Sequence, residues 1–367
     1  MSDAAWRTFL GAGLRGDAPL VANADVTVHE VALAGERAPV VINRGRAAET
    51  SWVASLRNAY GPYARAEAAA ANLSAFARRL GVAASHVGET LLAAGGLSGG
   101  CYLDSWLIAT ELHAPQLTSA AVLHALDEVM RLAPREPIVL RSLTPALHRE
   151  LLLGVAEAGF LLLPTRQVWL VPDLASGAWR RRRDPANDLR LAAESAEAWQ
   201  WIDGAAFSAD DFATAHALYQ QLYRRRYPTF NPDYTVEFFR RGVASGFIEV
   251  AGMRPARGGP LQAVVGMVHR GGVSATPLLG YDLTAPQELG LYRLASLHIW
   301  QNAERRGTLL HCSAGAGAFK ESRGATHAVE FAAVWTGHLP RARRACLATL
   351  AGTLRRWAVP YMERHRL

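Results

Sequence analysis

The spacing of apolar and polar positions is most informative over 273–335, where it changes from strand to helix and back. Residues 273–279 form a short β-rich run that Gly280, Tyr281 and Asp282 close. A polar turn holding Pro286 leads into an amphipathic pattern over 290–306, and Gly307 marks its end. A second apolar run, 308–312, is followed by a loop of small residues and then by Phe319 and Lys320. A final strand is expected over 328–335. Two strands joined by one crossover helix predict a parallel pair, whose ligand crevice lies beyond the carboxyl ends of the strands.

Elsewhere, alternation predicts a hairpin of 25–33 with 39–43 about Gly35, and helical spacing predicts helices over 49–60 and 65–80, the second stopped by Gly81. A helix over 119–132, a strand over 137–143 and a helix over 145–158 capped by Thr144 follow. A pair of strands, 159–163 and 167–171, is expected about Pro164. Helices over 210–226 and 235–243 precede a hairpin of 246–253 with 262–270, and a basic helix over 340–356 precedes a short tail. The stretch from Trp179 to Leu189, where Arg180 to Arg183 are followed by Asp184-Pro185, joins charge to a turn signal and is expected to be an exposed linker. It divides the chain into 1–183 and 184–367, and the element order of the first is compatible with a divergent copy of the second. The fold class expected is mixed α/β.

The length, 367 residues, suits two domains of ordinary size. Half of the chain is apolar and 19% is charged, which excludes disorder on a large scale. No uncharged apolar run is long enough to span a bilayer and the first ten residues lack a signal core, so a cytoplasmic protein without a membrane partner is expected. Cys101, Cys312 and Cys346 are widely separated and read as small core residues, without a zinc site or disulfide framework. No His/Asp/Glu cluster has metal-ligand spacing, and no metal is expected. The net charge of +7, largely arginine, favours anionic partners.

The candidate chemistry gathers at the carboxyl end of the strand pair. Small residues in the 313–318 loop let a ligand approach main-chain N–H groups, and the helix start adds partial positive charge. Lys320 and Arg323 bring full charge, and Lys320 can reach a phosphate or a developing oxyanion. Tyr281 and Asp282 end a strand, where they bond an amine substrate or act as acid and base; the alternative is a turn pair. Ser313 donates to a carbonyl oxygen or caps the loop. His311 reads as a core histidine in an apolar strand, the alternative being a catalytic base. Glu330 is a general base or the buried partner of an arginine. Tyr223, Arg226 and Tyr227 line an acceptor pocket or pack a helix end.

This segment resembles a known family. The strand, Gln287-Glu288-Leu289-Gly290-Leu291-Tyr292, the long helix, the next strand, the glycine-rich loop, Phe319-Lys320 and Arg323-Gly324-Ala325 resemble the C-terminal acyltransferase domain of the GNAT superfamily. Within it they resemble the Fem-like branch, whose members carry two such domains in tandem. The resemblance implies two GNAT-like domains, 1–183 and 184–367, each a mixed, mostly antiparallel twisted sheet flanked by helices, with the transferase site in the second. It implies an N-acyltransferase that moves an acyl or aminoacyl group onto a small amine acceptor. The co-substrate would be acyl-CoA, an acyl-carrier thioester or aminoacyl-tRNA, with tRNA or an acyl-carrier protein as partner and no tightly bound cofactor. The superfamily's pyrophosphate loop reads Gln or Arg, two residues, Gly, one residue, Gly or Ala. Gln287 and Gly290 match it, whereas Tyr292 stands where a small residue belongs. Donor-binding roles fall to Gln287, Gly290, Tyr292, Arg293, Ser313 and Arg323, acceptor-binding roles to Tyr223, Arg226 and Tyr227, and catalytic roles to Lys320, Tyr281, Asp282 and Glu330. Tyr292 favours the alternative of a non-catalytic GNAT-like binding module. A nucleic-acid-binding protein ranks last, because no recognition-helix motif is present.

Overall fold

The structure, a computed structural model, describes residues 8–9, 19–70, 74–225 and 230–365. The fold is mixed α/β, with eleven strands among the described residues, mostly antiparallel, and helices packed against them. The described residues form two compact units. The first comprises the described parts of Asn23–Val168, Pro228–Asp233 and Ala328–Leu367, and the second those of Met1–Ala22, Trp169–Tyr227 and Tyr234–His327.

In the first unit, β1 (Thr27–Leu33) and β2 (Glu36–Asn43) form the expected hairpin. Ala34 and Gly35 turn it with φ of 53° and 82°, the two-residue geometry that matches strand twist. β2 pairs with β3 (Gly100–Leu103), and β3 runs parallel to β4 (Ile138–Leu143), the helix Ser119–Leu132 lying between them in sequence. β4 pairs antiparallel with β11 (Thr326–Trp335), through residues that belong to this unit. Val40, Ile42, Leu140, Val122, Val129 and Val155 centre its core.

In the second unit, β6 (Trp199–Asp203), β7 (Glu249–Pro255), β8 (Ala263–Arg270) and β9 (Val273–Tyr281) form an antiparallel series. β9 is parallel to β10 (Leu309–His311), as the spacing predicts, with the helix Leu291–Arg306 between them in sequence. β10 pairs antiparallel with the end of β5 (Leu161–Val171). The core gathers Trp169, Val265, Met267, Leu297, Trp300 and Leu310, each large apolar side chain contributing roughly 1.5–3 kcal/mol by burial.

Several expectations fail for identifiable reasons. Gly81 does not end a helix but lies inside Ala75–Ala94, where a Cβ would sit 3.0 Å from Ala68. Its absence lets two helices approach closely. Pro164 does not divide a strand pair; β5 runs through it as one strand. Thr144 begins the helix Pro145–Glu157 without a side-chain cap. Pro360 lies within one helix, Arg341–His365, so the expected tail continues the basic helix. Arg181 to Arg183 are exposed, as expected, but the run is helical rather than an open linker: Trp179 is buried, Arg180 pairs with Glu304, and Arg183–Glu194 is a helix. β6 was not anticipated. Among the described residues, no helix is long and apolar enough to cross a membrane.

Gly280 shows how tightly β9 is covered: a Cβ there would lie 2.6 Å from the main chain at Leu218 and Tyr219. Gly280→Ala is expected to lower stability by about 1–3 kcal/mol through overpacking, read from the urea unfolding midpoint; an unchanged midpoint would refute this packing.

Candidate functional site

β10 stays beside β9 only briefly. Leu309, Leu310 and His311 pair with Val273, Ser274 and Ala275. Cys312 then donates its N–H to the Trp169 carbonyl at 2.8 Å, and Trp169 donates to the Ser313 carbonyl at 3.1 Å, so the chain turns from β9 to β5. Positive φ at Ser313, Gly315 and Ala316 makes the turn. β9 meanwhile continues to Tyr281 with β8 as its described partner. The Asp282 N–H donates to the Gln262 carbonyl at 2.9 Å, which sets the phase of this ladder. Leu278 and Gly280 therefore turn their main-chain groups toward β8, and Leu279 and Tyr281 turn theirs to the side that β10 has left. The result is a strand edge with main-chain donors and acceptors on offer.

The expected site residues cluster around this edge in the second unit. Gln287 lies on the exposed turn Gln287–Leu289, and Gly290, with φ of 62°, begins the helix Leu291–Arg306. A Cβ on Gly290 would lie 2.5 Å from Leu191, so this glycine serves close packing onto the helix Arg183–Glu194. Tyr292 stands between two rings, 5.6 Å from Tyr281 and 4.7 Å from Phe319. Asp282 accepts from the Thr284 N–H and hydroxyl at 2.8 and 2.7 Å, the geometry of a turn. Tyr223 stacks on Tyr219 at 4.8 Å. Arg226 and Tyr227 lie outside the described residues.

Lys320 is the sole lysine of the sequence and is buried. Its ammonium donates to the carbonyls of Cys312 and Ala314 at 2.6 and 2.8 Å, with that of Ser313 at 3.4 Å. Such convergent acceptors suit a compact tetrahedral ammonium better than a planar guanidinium. Lys320 thus fixes the turn by which the chain leaves β9. Burial pushes the Cys312 thiol up to about 12 despite the nearby Lys320, so it stays protonated.

The positive charges expected to seat an anion already face one. Asp188, which sequence reading assigned to the linker, is 2% exposed. It accepts from Arg293 Nε at 2.6 Å and from Arg323 Nε at 2.8 Å. Arg323 also lies 3.3 Å above the Phe319 ring. The signal was the Asp184/Asp188 spacing, which puts both on one helix face.

Glu330 belongs to the first unit, where it is buried and accepts from Arg166 Nε and the Thr165 hydroxyl, each at 3.0 Å. A neighbouring network was missed. His113 is bonded to Asp104 at 2.8 Å and donates Nε2–H to the Arg141 carbonyl at 2.7 Å. Burial opposes its charge, but Asp104 and that carbonyl raise its pKa overall. Burial pushes the Glu111 carboxyl up to about 7, against the pull of Arg141, Ser105 and the Trp106 N–H. Among the described residues, no group of His, Cys, Asp or Glu can hold a metal ion.

Neither a family model nor a curated protein matches the sequence. The chain is similar in fold to several solved structures. L-PGS from Bacillus licheniformis is 13% identical, with 64% of this chain and 78% of that one covered and a TM-score of 0.46. FemX is 12% identical, with 64% and 80% covered and a TM-score of 0.47. A GCN5-related N-acetyltransferase from Kribbella flavida is 16% identical, with 65% and 82% covered and a TM-score of 0.37. Similarity at this level concerns general fold and says nothing of this chain's chemistry.

Asp188→Asn leaves two guanidiniums without their carboxylate and is expected to cost about 3–5 kcal/mol in chemical denaturation; a loss below ~1 kcal/mol would show the cluster to be dispensable. Glu111 and His113 both bind protons more tightly folded than unfolded. Their contribution is present below the ordinary values of 4.5 and 6.5 and is lost as pH rises through the folded values. The stability difference between wild type and Glu111→Gln is therefore expected to fall as pH climbs from 4.5 past about 7. Parallel pH profiles of the two proteins would refute the assignment.

Proposed function

We propose that the chain is an N-acyltransferase of GNAT-like, Fem-like type, moving an acyl or aminoacyl group from an activated donor to a small amine. The observation that carries this reading is the early departure of β10 from β9. An extended donor arm, the pantetheine of acyl-CoA or an acyl-carrier protein, or the 3′ end of an aminoacyl-tRNA, can add to the Leu279–Tyr281 edge as a further strand does. The donor's anionic part then lies toward the helix start, where the Leu291, Tyr292 and Arg293 N–H groups and the outer face of Arg293 favour negative charge.

Chemistry in this arrangement rests chiefly on positioning. The main-chain N–H groups of the edge hold and polarise the donor carbonyl, and the Tyr281 phenol supplies a proton to the leaving group. The amine arrives from the side of Tyr223. Lys320 and Ser313 keep the departing strand turned away, which holds the edge open. A compact body in each unit agrees with the tandem GNAT-like domains that the resemblance implies.

A second reading, a binding module that retains the fold without turnover, is favoured by Tyr292 lying between Tyr281 and Phe319 and by Asp188 engaging Arg293 and Arg323. Titration with acetyl-CoA, an acyl-carrier thioester and aminoacyl-tRNA separates the two. Transfer predicts that one donor binds and is turned over with a small amine. Leu279→Pro, which removes an N–H that β8 does not use together with the Leu279 side chain packed on the core, then weakens that donor about tenfold relative to Leu279→Ala, which keeps the N–H. Failure of the wild type to bind all three donors would end the transferase reading and leave the module.

A further inference from the structure

The first unit contains a partly open cavity of about 30 Å³, room for about two waters or a group of similar size. One wall is aromatic, from Trp52, Tyr60 and Tyr102, and another carries Arg141 and Arg166. Leu56 and Val139 complete an apolar floor.

The walls are rigidly built. Trp52 donates from Nε1 to Asn231 at 3.3 Å. The Arg141 and Arg166 guanidiniums lie 4.7 and 5.0 Å from its ring centroid, so two cations share one indole. Arg141 is tied to the Val53 carbonyl at 3.1 Å, and Arg166 to the Ala109 carbonyl at 2.6 Å and to Glu330. Gly100 gives the Tyr102 ring its place, since a Cβ there would lie 2.9 Å from that ring.

Two donors in this wall are unsatisfied. The Tyr60 and Tyr102 O–H groups have no acceptor, the Tyr102 oxygen meeting only the main chain at Leu56, and the residues are only 7% and 1% exposed. Burial raises the pKa of both, so each keeps its proton to donate. A buried O–H without an acceptor is costly, and a pair of them lining one cavity calls for one. The charge nearby favours an anionic one. Arg141 and Arg166 face Glu330, Glu111 and Glu67, of which burial pushes the Glu111 carboxyl up to about 7 and raises that of Glu67.

We propose that this cavity binds a small carboxylate of the size of formate or acetate, its oxygens accepting from the Tyr60 and Tyr102 hydroxyls and its carbon lying on Leu56 and Val139. The site stands apart from the β9 edge and does not rest on the transfer reading.

Isothermal titration of the full chain with sodium acetate and sodium formate, at constant ionic strength against sodium chloride, tests it. Saturable binding of a carboxylate is expected. Tyr60→Phe and Tyr102→Phe should each weaken it about tenfold, with unfolding midpoints no lower than wild type because each change removes an unsatisfied O–H donor. Absence of saturable binding, as for a cavity that holds only water, would overturn the proposal. So would equal affinity in both variants, or binding of ethylammonium in place of the carboxylates.

Discussion

The buried carboxylate of Asp188 joins three pieces of the second unit that are far apart in sequence. It stands 105 residues from Arg293 and 135 from Arg323, and it holds the start of the Leu291–Arg306 helix and the turn after Lys320 to the helix Arg183–Glu194. Two guanidiniums brought together without it would repel at short range. With it they fix both ends of the segment that decides where β10 goes. The turn by which the chain leaves β9 is thus held by a buried charge cluster.

The strand–helix–strand segment was legible in the sequence because each of its elements carries its own period and its own stop. Residues 308–312 form an apolar run, Gly307 ends the helix, and the small-residue loop announces a turn. The failures were of another kind. Gly81 and Pro164 carry strong local signals that packing overrides, the first by the approach of Ala68 and the second by continuation of β5. Asp188 was hidden because its partners lie beyond any local window, so its helix read as a charged linker. The cavity was equally hidden. Trp52, Tyr60, Arg141 and Arg166 come from separate elements, and no spacing relates them.

The two units use similar means. Each has a parallel strand pair bridged by one helix, β3 with β4 and β9 with β10. A serine of positive φ accompanies each second strand, Ser142 at 57° inside β4 and Ser313 at 58° after β10. They differ in what surrounds them. Lys320 closes the turn after β10 on three carbonyls, whereas Arg141, Glu111 and His113 build a dense polar network around β4. The shared scaffold sets the direction of the chain, and the side chains set the chemistry.

β5 begins in the first unit and ends in the second, while β11 does the reverse. A single break of the main chain anywhere between Asn23 and His327 therefore leaves part of each unit on either fragment, so neither unit can be excised as one continuous piece.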